Sequence, residues 1–164
     1  MVATPPDAVL GVHIAAGTLW FASVLRGGEF VDDRIDRLKV AFDLGEERAL
    51  SEAEESIQDL LGRLQPVAVA LLKPGAGQNQ PKPSDTLRRG QVEGALLIAC
   101  HRSGAGVELV THNAVEKIVG KRPSGAEYCT LAAALLSCKR PNQWSNRAPA
   151  YGAGLAVAGY EGPS

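Results

Sequence analysis

GVHIAAGTLWFASVLRGG, residues 11–28, decides the fold. Apolar side chains alternate along 9–16 and again along 19–26, and a tight turn around Gly17 joins the two runs. Gly27-Gly28 supplies the next turn, and EFVDDRIDRLKV (29–40) alternates well enough for a third strand. Three strands on short links predict an antiparallel meander.

Beyond the meander the period changes. In EERALSEAEESIQDLLGRL (46–64), Leu50, Ala53, Ile57, Leu60, Leu61 and Leu64 recur at helical spacing, while Glu52, Glu54, Glu55 and Asp59 point away. PVAVALL (66–72) reads as a strand buried on both faces, as in parallel pairing. KPGAGQNQPKP (73–83) is a mildly basic loop, after which Ser84 or Asp85 is placed to cap a helix over about 85–103. GVELVTH (106–112) is a further strand, and NAVEKIVG (113–120) a short helix, capped by Asn113 and closed by Gly120. Two more helices are expected, at about 124–138 and 146–160. A meander followed by strand–helix–strand crossovers predicts an α/β fold, a five-stranded mixed sheet with helices on both faces. That is the ribonuclease-H-like arrangement: a three-strand antiparallel meander plus two parallel strands, with the first strand central.

Composition agrees with a globular chain. Of 164 residues, 45% are hydrophobic and only 5% aromatic, so the interior must be built from small aliphatics. One domain spanning 1–164 is expected, with 1–8 and 161–164 as flexible ends. The first residues, MVATPPDAVLG, carry neither a basic nor an apolar leader segment, and no apolar run reaches the roughly 18 residues of a membrane span. A cytoplasmic protein without membrane contact is the expectation. Cys100, Cys129 and Cys138 form no CxxC pair, so a zinc site or disulfide framework is not indicated, and buried thiols are expected. Charge is uneven: residues 1–65 hold 12 acidic and 6 basic residues, residues 66–164 hold 6 acidic and 11 basic. The basic C-terminal half could meet a polyanion, DNA or RNA; an ordinary solvated surface is the simpler reading of charge alone.

At PVAVALLKPG and SDTLRRGQVEGALLIACHRSGAGVELVTHNAVEKIVGK the chain resembles the RuvC-type crossover-junction resolvases. The family pattern is an apolar strand ending in Glu, a loop, a helix with a basic residue, Gly-Gln and a later Gly, then a strand and a short "xxVKxxVxG" helix. Arg88, Gly90-Gln91, Gly94 and AVEKIVG stand in those places, and the tail GAGLAVAGY is similar to the family's last helix. The resemblance implies two-metal hydrolysis of a phosphodiester, with Mg²⁺ held by carboxylates from the first strand, the end of the fourth strand and two positions on the last helix. Here the first-strand position is His13 and the fourth-strand position Leu72; the last-helix positions fall on Ala148 and Tyr151, or on Ala150 and Ala153. No Asp or Glu occurs between Glu127 and Glu161. The expectation is therefore a catalytically degenerate nuclease-fold protein with no metal and no cofactor, and no catalytic residue at these positions.

Other residues bear on function. His13 and His112, with Asp32 and Asp33, are the ligands a relocated metal site would use; hydrogen bonding of His13 to the main chain, and edge-strand acids at Asp32, Asp33 and Asp36, are the plainer readings. His101 falls near a helix C-terminus, where a cation suits the dipole. Lys73, Lys82, Arg88, Arg89, Gln91, Lys121 and Arg122 are the candidate nucleic-acid contacts; Lys139, Arg140 and Arg147 lie in the same half, and Gln78, Asn79 and Gln80 could add neutral hydrogen bonds to a backbone. No aromatic lies in 73–84 to wedge into a junction. Trp20 is expected in the core, and Trp144 covers the end of the last helix or stacks on a partner. The resemblance further implies a homodimer paired through the helix after the fourth strand, whose apolar stretch here is GALLIAC (94–100). Three functions thus remain open: a non-catalytic nucleic-acid or partner-binding module, a nuclease with relocated ligands, and an assembly protein without nucleic-acid affinity.

Overall fold

The computed structural model describes residues 7–31, 35–74, 82–119 and 143–159. β1 (Val9–Ala15) and β2 (Thr18–Val24) form the expected hairpin, in register from Val9↔Val24 to Ala15↔Thr18. Ala16 takes the left-handed conformation at φ 54°, and a Cβ on Gly17 would stand 3.2 Å from the Phe42 ring, so the turn is tight on both counts.

The third strand of the meander is split. β3 (Phe30–Val31) and β4 (Arg37–Lys39) both pair antiparallel with β2. Between the pairs Ser23↔Val31 and Trp20↔Arg37, β2 advances 3 residues (23 to 20) while the outer chain advances 6 (31 to 37). The register with β2 is therefore not continuous from β3 to β4, as at a bulge. The main chain rejoins at Asp36, whose carbonyl accepts from Phe21 N–H at 2.9 Å. Asp32 and Asp33 lie outside the described residues.

After a 3₁₀ turn at Phe42–Leu44 come α1 (Glu46–Leu64), β5 (Ala68–Leu72), α2 (Pro83–Ser103), β6 (Val107–Val110), α3 (His112–Val119) and α4 (Trp144–Val157). β5 lies parallel to β1, with Val9↔Ala68 and Val12↔Leu71, and β6 lies parallel to β5. The sheet order is β3-β2-β1-β5-β6, with β4 also beside β2. The mixed, ribonuclease-H-like sheet expected from the sequence is present, its five positions filled by six segments.

Period two sorts the strands into two cores. Leu10, Val12, Ile14, Leu19, Phe21, Val69 and Leu71 pack under α1 and α2, against Ala53, Ile57, Leu60, Leu61, Leu64, Val92, Leu96 and Ala99. Cys100 is buried there, and burial pushes its thiol up to about 11. Val9, Ala22, Val24, Ala70 and Leu72 face the other way, onto Val115 of α3 and onto Trp144, Ala148, Tyr151 and Leu155 of α4. Trp20 is buried too, with the Arg37 guanidinium 5.5 Å from its ring centre.

Helix starts differ from the sequence reading. α2 begins at Pro83 with Lys82 as the N-cap, because proline's fixed φ and missing N–H suit the first helical position. α3 begins at His112, and Thr111 Oγ1, not Asn113, accepts from a first-turn amide, Ala114 N–H at 3.1 Å. β6 accordingly stops at Val110. The helix expected at 124–138, with Cys129 and Cys138, lies outside the described residues, as do Gly120 and the residue ranges 1–6 and 160–164. Among the described residues no helix is long and apolar enough to cross a membrane.

Candidate functional site at the strand ends

The last helix is pressed onto the centre of the sheet. A Cβ on Gly11 of β1 would lie 1.8 Å from the Ala150 carbonyl oxygen, and one on Gly154 2.7 Å from Val24 Cγ2. Only glycine at 11 lets the two backbones approach this closely. Arg147 is the single charged residue of α4 and is buried, 2% exposed. Its Nε donates to Phe21 O and its Nη2 to Ile35 O, both at 2.9 Å, while its guanidinium lies 4.9 Å from the Phe30 ring centre. Phe30, Trp144 and Tyr151 form an aromatic cluster beside it, and the Tyr151 hydroxyl donates to Gly28 O. Trp144 therefore belongs to the core, and Arg147 is a buried clamp on β2 and the outer strand, not a surface base. The sequence carried a signal for this: a lone charge in an otherwise uncharged, small-residue helix has to find partners in the interior.

The carboxyl ends of β1, β5 and β6 meet at one edge of the sheet, and Lys73 N–H donates to Val110 O at 2.8 Å where β5 and β6 finish. His13 sits near the end of β1, Leu72 ends β5 and is fully buried, and His112 opens α3 just after β6. Into this edge reaches Arg89 of α2, half-buried. Its Nη1 donates to Ile14 O and its Nη2 to Leu72 O at 3.0 Å, so one guanidinium bridges the ends of two parallel strands. Arg89 Nε and His13 Nδ1 are buried and find no hydrogen-bond partner among the described residues.

The electrostatics follow from this placement. Burial, then the Arg89 charge, then His112 push the His13 pKa down to about 4. His112 is also lowered, by burial first and by Arg89, against a hydrogen bond with the Lys73 main chain that raises it. Both imidazoles are neutral at pH 7 and the fixed positive charge belongs to Arg89, whose own pKa is lowered by burial and supported by Glu93 one turn along α2.

The resemblance implies Mg²⁺ at this edge, and the residues present do not fit it. Mg²⁺ takes oxygen donors and is normally tethered by carboxylates. His13 offers nitrogen, Leu72 offers nothing, the Ile14 and Leu72 carbonyls already accept from Arg89, and Ala148, Ala150, Tyr151 and Ala153 of α4 are buried in the second core. Among the described residues no group of three or more His, Cys, Asp or Glu is placed to hold a metal ion.

The candidate nucleic-acid contacts separate by position. Lys73 and Lys82 are exposed at the end of β5 and the start of α2. Arg88 is exposed, its guanidinium 5.0 Å from the Phe42 ring centre. Arg89 is turned inward. Gln91 is half-buried and its Nε2 donates to Glu46 Oε2 at 3.4 Å. His101 is exposed in the last turn of α2. Lys121, Arg122, Lys139, Arg140, Gln78, Asn79 and Gln80 lie outside the described residues.

No family model matches the chain, and no curated protein matches it. Solved structures do. RuvC of Thermus thermophilus is similar over 93% of this chain and 94% of its own, with a TM-score of 0.76 and 19% identity. T. thermophilus RuvC in complex with Holliday junction substrate gives a TM-score of 0.77 at 18% identity over 94% of each chain. The protein thus has a RuvC-like, ribonuclease-H-like fold.

Proposed function

We propose that this protein binds nucleic acid without cutting it, using Lys73, Lys82 and Arg88 beside the β5–α2 connection, with Gln91, Lys121 and Arg122 as further contacts. The observation that carries the reading is the pairing of a whole-chain likeness to a junction-bound RuvC with a strand-end edge that holds Arg89 and two imidazoles where the resemblance implies carboxylates. Exposed bases grip phosphates whatever the sequence, and the affinity falls with salt as counterions are released. Nothing aromatic lies in 73–84 to stack on an unpaired base, so selectivity for junctions over duplex is expected to be small.

The test is a fluorescence-anisotropy titration with four-way-junction, duplex and single-stranded DNA at two salt concentrations, with and without Mg²⁺, followed by gels of the same samples. Salt-sensitive binding with intact DNA supports the reading. Cleavage that needs Mg²⁺ or Mn²⁺ and dies in His13→Ala overturns it in favour of a nuclease with relocated ligands. Absence of binding at low salt points to an assembly role.

A second reading has its own observation. α2 leaves Leu87, Leu97 and Ile98 exposed by 61%, 40% and 47%. We propose that this helix pairs with a second copy of the chain. Light scattering reads the mass, and Leu97→Glu with Ile98→Glu is expected to return a dimer to monomer.

A further inference from the structure

We propose that the Arg89 guanidinium is a built-in cation that clamps the carboxyl ends of β1 and β5, and that the edge of the sheet it occupies excludes divalent metal. The inference is independent of nucleic-acid binding and rests on the geometry of one side chain.

β1 and β5 are parallel neighbours, and the Ile14 and Leu72 carbonyls near their ends lie close enough together to share one cationic donor. The planar fork of a guanidinium brings two separate nitrogens, in fixed geometry, to two such carbonyls, where an ammonium would have to reach both from one nitrogen. Arg89 does this with Nη1 on Ile14 O and Nη2 on Leu72 O. Its stem comes from α2, on the side of the sheet opposite α4, so the clamp also ties α2 to the strand ends beyond its apolar contacts. The same bonds engage the Ile14 and Leu72 main-chain oxygens. Among the described residues the edge also holds His13, whose buried Nδ1 has no hydrogen-bond partner there, His112, and the apolar side chain of Leu72. A doubly charged ion entering here would be repelled by a fixed positive charge in a partly dry site, and among the described residues no group of three or more His, Cys, Asp or Glu is placed to hold it. Glu93, four residues further along the same helix, supports the guanidinium.

Two measurements test the idea. Free Mn²⁺ is followed by electron paramagnetic resonance while the wild-type protein is added, and thermal melts are recorded for wild type, Arg89→Lys and Arg89→Gln. The expected results are no saturable loss of the free Mn²⁺ signal, and melting lowered by about 5–10 °C in both variants, the lysine failing to rescue. A one-to-one loss of Mn²⁺ signal that disappears in His13→Ala would overturn the exclusion of metal. Melting of Arg89→Gln superimposed on wild type would overturn the clamp. Weak, unsaturable Mn²⁺ uptake unchanged by His13→Ala leaves the proposal standing. Should Arg89→Gln not fold at all, the clamp is upheld by rescue in Arg89→Lys being absent as well, and the wild-type Mn²⁺ titration decides the rest. Failure to bind DNA touches neither measurement.

Discussion

Acid should destabilise this protein through His13 in a window set by its own burial. The folded-state pKa is about 4, against 6.5 for a free imidazole, so between those values the unfolded chain binds a proton that the folded chain does not. Stability from this residue is therefore complete above pH 6.5, falls as pH drops toward 4, and changes no further below. Integrating the proton uptake gives a loss of about 2 kcal/mol between pH 7 and pH 5, approaching about 3 kcal/mol at pH 4. His112 is displaced in the same direction and steepens the fall. The assay is urea unfolding at pH 7, 6 and 5 for wild type, His13→Gln and His112→Gln. Carboxylate contributions are common to all three and cancel in the differences. His13→Gln is expected to flatten the pH dependence by about 2 kcal/mol over that range. Parallel curves for wild type and His13→Gln would refute the reasoning, since they would mean that the imidazole is hydrated and titrates in the folded state as it does in the unfolded one.

Gly11→Ala drives a methyl into the Ala150 carbonyl of α4 and should cost about 3 kcal/mol in urea unfolding, whereas the closest contact of a Gly154→Ala methyl is the Val24 side chain, and it should cost less. Tyr151→Phe removes the hydroxyl that donates to Gly28 O and should lower stability by about 1 kcal/mol with the fold retained in circular dichroism. Arg147→Met removes the guanidinium that donates to the Phe21 and Ile35 carbonyls and should cost about 3 kcal/mol, read from the same denaturation curves. If Lys82 and Arg88 each neutralise one phosphate, Lys82→Ala and Arg88→Ala should each reduce the slope of log affinity against log salt by about 0.9 for duplex DNA, with melting unchanged.

The sheet and its helices were legible because their signals are local. Alternation along 9–26 set the hairpin, and the apolar run 66–72 marked a strand with both faces covered. The interrupted third strand was hidden because alternation continues through 29–40 while the register with β2 does not, and register is a property of two strands. Thr111 was passed over as a cap because the strand was read two residues too long. At the site, the residue types at 13, 72 and α4 could be read directly. The inward turn of Arg89 could not, since Arg88 and Arg89 are neighbours of identical type and only the 100° step of the helix decides which one faces the strand ends. Arg147 differs: its isolation among small residues was a readable sign.

The docking of α4 on the central strand also governs when the molecule can finish folding. The hydrogen bond from Arg147 to Phe21 O spans 126 residues of chain, and that from Tyr151 to Gly28 O spans 123. The face of β1, β2 and β5 carrying Val9, Ala22, Val24, Ala70 and Leu72 is thus covered by a segment synthesised more than 100 residues after β1 and β2. Contacts this distant form slowly, and until they do an apolar sheet surface stands open to solvent and to other chains.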